Sequence, residues 1–329
     1  MLSCSGAANY YWDEALSSTM IALLEPSGRA PSFQAWFTSD LKGKSHNWFA
    51  LDCPPVGSAY NNCNFTATNS DTVSLKDVDV NADVDVDVDV DVDVEATTTV
   101  YPYNIWSYGF AMFNHLRINN DSDFLHSRAA QSSLTVEQAL EAVVMDWQDS
   151  VIPGTYLVDY HVRLDGFSPT YSRVIAGMQG NNVWMLRQLA LLRQAQGNTT
   201  GAAALLELAS EMVADTLKVM LASSADGTRS WFNIVHPKGS SSSATDTGVA
   251  LTAYEMRHVV DFFSMAFGLC GSKAAKCDFT DSQRAQLSKW FHDELQTSSW
   301  IRATSPQCNC SRSFDVTLHE GEKNENEHN

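Results

Sequence analysis

Basic residues are scarce in this chain: 21 Lys and Arg stand against 39 Asp and Glu, for a formal charge of −18. They are also scattered, so no basic stripe is available to neutralise a nucleic-acid backbone. An acidic surface is likewise repelled by anionic lipid, so neither nucleic acid nor membrane is expected as a partner. Long apolar runs are missing: no stretch of about 18 apolar residues occurs, which argues against a spanning helix. The first residues, MLSCSGAANYYWDEAL, have no basic n-region and no long apolar stretch. No secretory signal is read there, and the start reads like the middle of a larger protein. Reaction signatures are equally sparse. There is no GxSxG elbow, no P-loop and no GxGxxG after a strand, and Met178-Gln-Gly has no phosphate-binding context. The seven cysteines form no zinc spacing, and Cys308-Asn-Cys310 is too tight for a CxxC pair. No metal and no cofactor is expected.

What is present points to a folded core. Hydrophobic residues make up 44% of the chain and nine Trp are among them, enough for one large or two small domains. Half of the formal charge lies in residues 77–95, DVDVNADVDVDVDVDVDVE, which hold eight Asp, one Glu and no base. Strict alternation resembles a half-buried strand, but one face would be a row of mutually repelling carboxylates. The segment is expected to be a disordered low-complexity insert. The alternative, a loose Ca²⁺ sponge, lacks the Gly turn and spaced ligands of a calcium loop. Four Asn-x-Ser/Thr sequons, at Asn64, Asn120, Asn198 and Asn309, lean with the seven cysteines toward a secretory or extracellular setting. Cys270 and Cys277 flank GSKAAK, which fits a small disulfide loop; two buried free thiols are the alternative.

Along the chain, 1–70 reads as an N-terminal helix with loops, 71–100 as the Asp-Val insert, 101–306 as the main helical domain, and 307–329 as a disordered polar tail. Within the main domain, 134–150 is an amphipathic helix in which Thr135 and Gln138 can form a capping box. Pro153-Gly154 ends it. A helix over 181–196 is apolar on almost every side, and Asn181 and Asn182 can cap it. Helices over 202–223, 247–270 and 282–296 follow, and SWFNIVHP between them is a short extended piece. The expectation is an all-α architecture of helical hairpins.

Candidate site residues lie in two places. The approach to helix 181–196 carries Tyr156, Asp159, Tyr160, His161, Arg163, Asp165 and Tyr171, a mixture suited to a loop over a cavity that takes a polar small molecule. Asp159 stands among aromatic neighbours on which sugars stack; the alternative is an Asx-turn or a salt bridge with Arg163. Asp165-Gly166 also reads as plain turn chemistry. The second group is Glu255, His258 and Asp261, spaced by three on one side of the expected 247–270 helix, with Arg257 able to pair with Asp261. An internal hydrogen-bonded network is its alternative. Asp146 and Asp149 read as a solvated helix end. Trp184 can be a sugar platform or a core residue. His292, Asp293 and Glu294 read as solvated surface.

Several stretches bear a family likeness: GTYLVDY, SPTY, GNNVWMLRQLALLRQAQGN, EMRHVVDFF and FHDELQTSSWIRATSP. The last is similar to a DELQT-x-x-WMRALSP stretch of bacterial glycosidase-like families. Over 101–306 the order of pieces resembles the six-hairpin glycosidase-like group, the (α/α)6 toroid, with fewer helices than a full toroid requires. The resemblance implies an incomplete toroid whose loops form a funnel for a carbohydrate. It also implies a carboxylate acid/base pair, Asp159 and Glu255, with Tyr156, Tyr160, Arg163, Asp165, Trp184, Arg257, His258 and Asp261 binding substrate around it. Glycoside hydrolysis needs one protonated and one ionised carboxyl group, about 6.5–9.5 Å apart in an inverting enzyme. The rival readings are a non-catalytic carbohydrate-binding or scaffold protein on the same framework, and an epimerase or lyase.

Overall fold

The computed structural model describes residues 102–127, 135–160, 173–237, 250–271 and 275–308. The N-terminal helix, the Asp-Val insert and the C-terminal tail expected from the sequence lie outside these residues. So do His161, Arg163, Asp165 and Tyr171. The chain divides into two units, Met1–Asp146 and Trp147–Asn329.

In the first unit, α1 (Pro102–Asn119) buries Tyr108, Ala111 and Met112. It stops where Asn120 adopts a left-handed φ of 50°, a conformation that Asn tolerates better than most residues. A short α2 (Ser122–His126) follows, capped by Asp121. Helix α3 (Val136–Met145) opens on the expected capping box, with Thr135 Oγ1 accepting from the Gln138 N–H at 3.2 Å and Gln138 Oε1 accepting from the Thr135 N–H at 2.9 Å. Its apolar positions Val136, Ala139, Leu140, Val143 and Val144 recur at helical spacing and are all buried. A 3₁₀ turn, Asp146–Ser150, then ends the amphipathic stretch read over 134–150.

The second unit is built on α4 (Ala176–Ala195) and α5 (Thr199–Met220). The two form a hairpin turned by Gly197, whose φ of 82° suits glycine, and by Asn198, whose side chain accepts from the Gly201 N–H. Helix α4 starts five residues earlier than the sequence predicted. Asn181 and Asn182 therefore do not cap it; they lie inside it and are buried. The α4 terminus is capped from outside: Asp261, fully buried, accepts from the Gly177 N–H at 2.6 Å. A carboxylate there also meets the positive end of the helix dipole.

Helix α5 ends at Met220 rather than at 223, because the chain turns into a three-stranded antiparallel sheet of order β1-β2-β3. The strands are β1 (Leu221–Ser223), β2 (Ser230–Pro237) and β3 (Leu251–Glu255). The helix expected over 247–270 is therefore two elements. Thr252 and Tyr254 suit a pleated surface and pair with β2 in the register Ile234–Tyr254 and His236–Thr252. The chain then kinks at Arg257, with φ 34°, and only α6 (Val259–Cys270) is helical. Helices cover 62% of the described residues, so the fold is predominantly helical, and the sheet is the correction to the all-α expectation.

Helices α4 and α6 approach closely enough that their backbones touch. A Cβ on Gly180 would lie 2.6 Å from the Ser264 carbonyl oxygen, and one on Gly268 would lie 2.1 Å from that of Gly180. Arg187, buried in α4, ties down the far end of α6 by donating to the Gly268 and Leu269 carbonyls at 3.0 and 3.3 Å. It also pairs with Asp278 at 2.8 Å. Between them, Cys270 and Cys277 form the expected disulfide. Helix α7 (Asp281–Trp290) opens on a Thr280/Gln283 capping box and runs into a π-helical turn, Phe291–Leu295.

Candidate functional site

Asp159 owes its position to alternation. Its neighbours Val158 and Tyr160 both point into the core, so Asp159 points the opposite way, toward Arg173. The Gln179 side chain holds Val158 in place of a neighbouring strand, accepting from its N–H at 3.1 Å and donating to its carbonyl at 3.0 Å. The Asp159 N–H donates to the Ser150 carbonyl, and the Tyr160 N–H to the Arg173 carbonyl. Tyr160 is core: its phenol oxygen accepts from Asn182 Nδ2 at 2.6 Å, which removes it from the set of accessible sugar platforms.

The Asp159 carboxylate is ion-paired with Arg173 at 3.1 Å; Arg163, the partner weighed as an alternative from the sequence, lies outside the described residues. Arg173 has a left-handed φ of 68°, which costs a non-glycine residue stability and is most often kept where function demands it. The backbone bridge between Val174 and Val235 sets Arg173 opposite His236 on β2. Burial, and then the Arg173 charge, lower the His236 pKa, while Asp159 works against them. The His236 ring lies 4.7 Å from that of Tyr254, which is 48% exposed. His236 Nε2, its cross-strand partner Thr252 Oγ1 and Arg173 Nε are buried and have no hydrogen-bond partner. One sheet face thus gathers an ion pair, a neutral imidazole, unused polar atoms and an accessible ring.

Glu255 pairs with β2 at Asn233, an odd position, whereas His236 and Ile234 are even. Alternation puts Glu255 on the opposite face of the sheet from Tyr254 and His236. There Glu255 lies 2.5 Å from Arg257 Nε, and Arg257 stacks at 3.7 Å over the Trp231 ring. The expected Arg257–Asp261 pair does not form, because the two residues belong to different elements. Arg257 Nη1 instead reaches Glu294 Oε1 and Oε2 at 2.9 and 2.8 Å.

Glu294 is the residue that sequence reasoning misplaced. It is fully buried, and it also accepts from Arg229 Nη1 at 3.0 Å, Trp290 Nε1 at 3.1 Å and Ser305 Oγ at 2.5 Å. A signal did exist: Leu287, Trp290 and Glu294 share the apolar stripe of α7 and its π-helical extension, at positions i, i+3 and i+7.

The remaining expected residues take structural places. His258 is the N-cap of α6, its Nδ1 accepting from the Val260 N–H at 3.2 Å, and burial lowers its pKa to about 4. Asp261 caps α4 as described. Trp184 is core, 5.1 Å from Phe267. Tyr156 is 39% exposed, and its N–H donates to Asp215 at 2.7 Å. Among the described residues, no cluster of three or more His, Cys, Asp and Glu can hold a metal, and no helix is long and apolar enough to cross a membrane. No family model, curated protein or solved structure matches the chain.

Proposed function

We propose that this chain is a carbohydrate-binding protein of the six-hairpin glycosidase-like type, and that Asp159, Arg173, His236 and Tyr254 form its sugar site. One observation carries the reading: the half-exposed Tyr254 ring stands beside a neutral imidazole, which in turn lies within the field of an Arg–carboxylate pair. A pyranose asks for that combination, since its C–H face stacks on an aromatic ring while its rim of hydroxyls needs donors and acceptors. The α4–α5 hairpin, closed by three residues, supports the toroid reading because such folds repeat that unit. Binding is placed ahead of hydrolysis because both carboxylates proposed for catalysis, Asp159 and Glu255, are occupied by arginines.

The test is a glycan array probed with the full chain, followed by product detection on every hit. Tyr254→Ala is expected to weaken binding by about tenfold, the worth of one good aromatic contact, with little change in unfolding midpoint. Released sugar that disappears in both Asp159→Asn and Glu255→Gln supports the glycoside hydrolase reading instead. A folded sample that binds no glycan defeats both.

A further inference from the structure

We infer that Asp159 is the specificity-determining residue of this site, and that by occupying Arg173 it reserves the site for neutral sugars and turns away acidic ones. The inference rests on the glycan-binding reading and names its ligand class. The guanidinium of Arg is the side chain best shaped to take a carboxylate through paired N–H donors. Left alone, Arg173 would make this face a uronate site. It is not left alone: Asp159 Oδ2 lies 3.1 Å from Arg173 Nη2, and both side chains are more than four-fifths buried. The backbone that carries this carboxylate is also fixed, by the Asp159 N–H bond to Ser150 and by the clamped neighbours Val158 and Tyr160. A sugar acid reaching Arg173 therefore meets a like charge at close range.

Among the described residues, the other groups on this face do not restore a positive field. His236, opposite Arg173, is held toward its uncharged form by burial and by that same arginine. Tyr254 contributes an accessible ring and a phenol. An exposed phenol beside a neutral imidazole and a compensated ion pair suits sugar hydroxyls, each of which donates and accepts.

Arrayed trimers of glucose, mannose and galactose, set against trimers of mannuronate, guluronate and galacturonate, test the inference. The wild-type chain is expected to bind at least one neutral trimer about tenfold or more tighter than any uronate trimer, the size of effect expected of one close like-charge contact. In Asp159→Asn the freed arginine should raise uronate binding by about tenfold, and the gain should fall with added salt. Arg173→Gln should have the reverse effect, lowering uronate binding further while keeping the preference for neutral trimers; it serves if Asp159→Asn does not fold. Equal binding of the two classes by the wild-type chain overturns the inference but leaves glycan binding standing. So does a uronate response unchanged in Asp159→Asn or improved in Arg173→Gln. A folded chain that binds neither class overturns the glycan reading and this inference with it.

Discussion

Lowering the pH from 7 to 4 should destabilise this protein through His258. That ring caps α6 by accepting the Val260 N–H on Nδ1, which it can do only while Nδ1 carries no proton. Burial holds its folded pKa at about 4, against an unfolded value of 6.5. The unfolded chain therefore takes up a proton below about pH 6.5, whereas the folded chain resists until about pH 4. Between those limits the unfolded state binds more protons, so stability falls as the pH falls; above about 6.5 the contribution is fully present, and below 4 nothing further is lost. The gap from 6.5 to about 4 is worth about 3 kcal/mol, undiscounted because the side chain is buried. Urea unfolding at stepped pH measures it. Carboxylates titrate nearby in pH, so the decisive quantity is the difference between wild type and His258→Asn. Asparagine caps a helix without titrating. The variant should lose less stability across this window, by an amount approaching that figure. Parallel pH profiles for the two proteins would refute the reasoning.

Two further perturbations probe the frame around the site. Gly180→Ala puts a methyl group into the Ser264 backbone, and should cost about 1–3 kcal/mol although alanine is the better helix former; a thermal melt no lower than wild type contradicts the close α4–α6 contact. Glu294→Gln removes the one charge facing both Arg229 and Arg257, and should cost about 3 kcal/mol in urea unfolding, whereas a solvated glutamate would change stability by less than about 0.5 kcal/mol.

What could be read from the sequence was whatever is decided within a few residues. The Thr135/Gln138 box, the Cys270–Cys277 loop and the apolar helix around Trp184 are all local, and all are in the structure. What could not be read was decided by distant partners. The capping group of α4 is Asp261, 84 positions away from Gly177, so no local cap residue marked the start of the helix. Glu294 reaches Arg229 across 65 positions and Arg257 across 37, and its charged neighbours His292 and Asp293 disguised it as surface. LTAYE was absorbed into the apolar run that follows it because a short strand shows itself only once its partner is known. The Arg173 partner of Asp159 was likewise hidden, because it is the Val174–Val235 bridge, between segments 61 positions apart, that sets Arg173 against β2.

The same bridge bears on chemistry. It ties Arg173, and through it Asp159, to the His236 face of β2, while Glu255 stands on β3 opposite Asn233. Consecutive residues of a strand face opposite ways, so Tyr254 and Glu255 cannot both present their side chains to one sugar ring lying on the sheet. A ring stacked on Tyr254 would lie on the His236 face, and Glu255 would be on the far side with Arg257 and Glu294. Two carboxyl groups that flank one bond must look into the same space. An aromatic ring with hydroxyls and a compensated charge asks only for a ligand that stacks and hydrogen-bonds, and for that work a single face is enough.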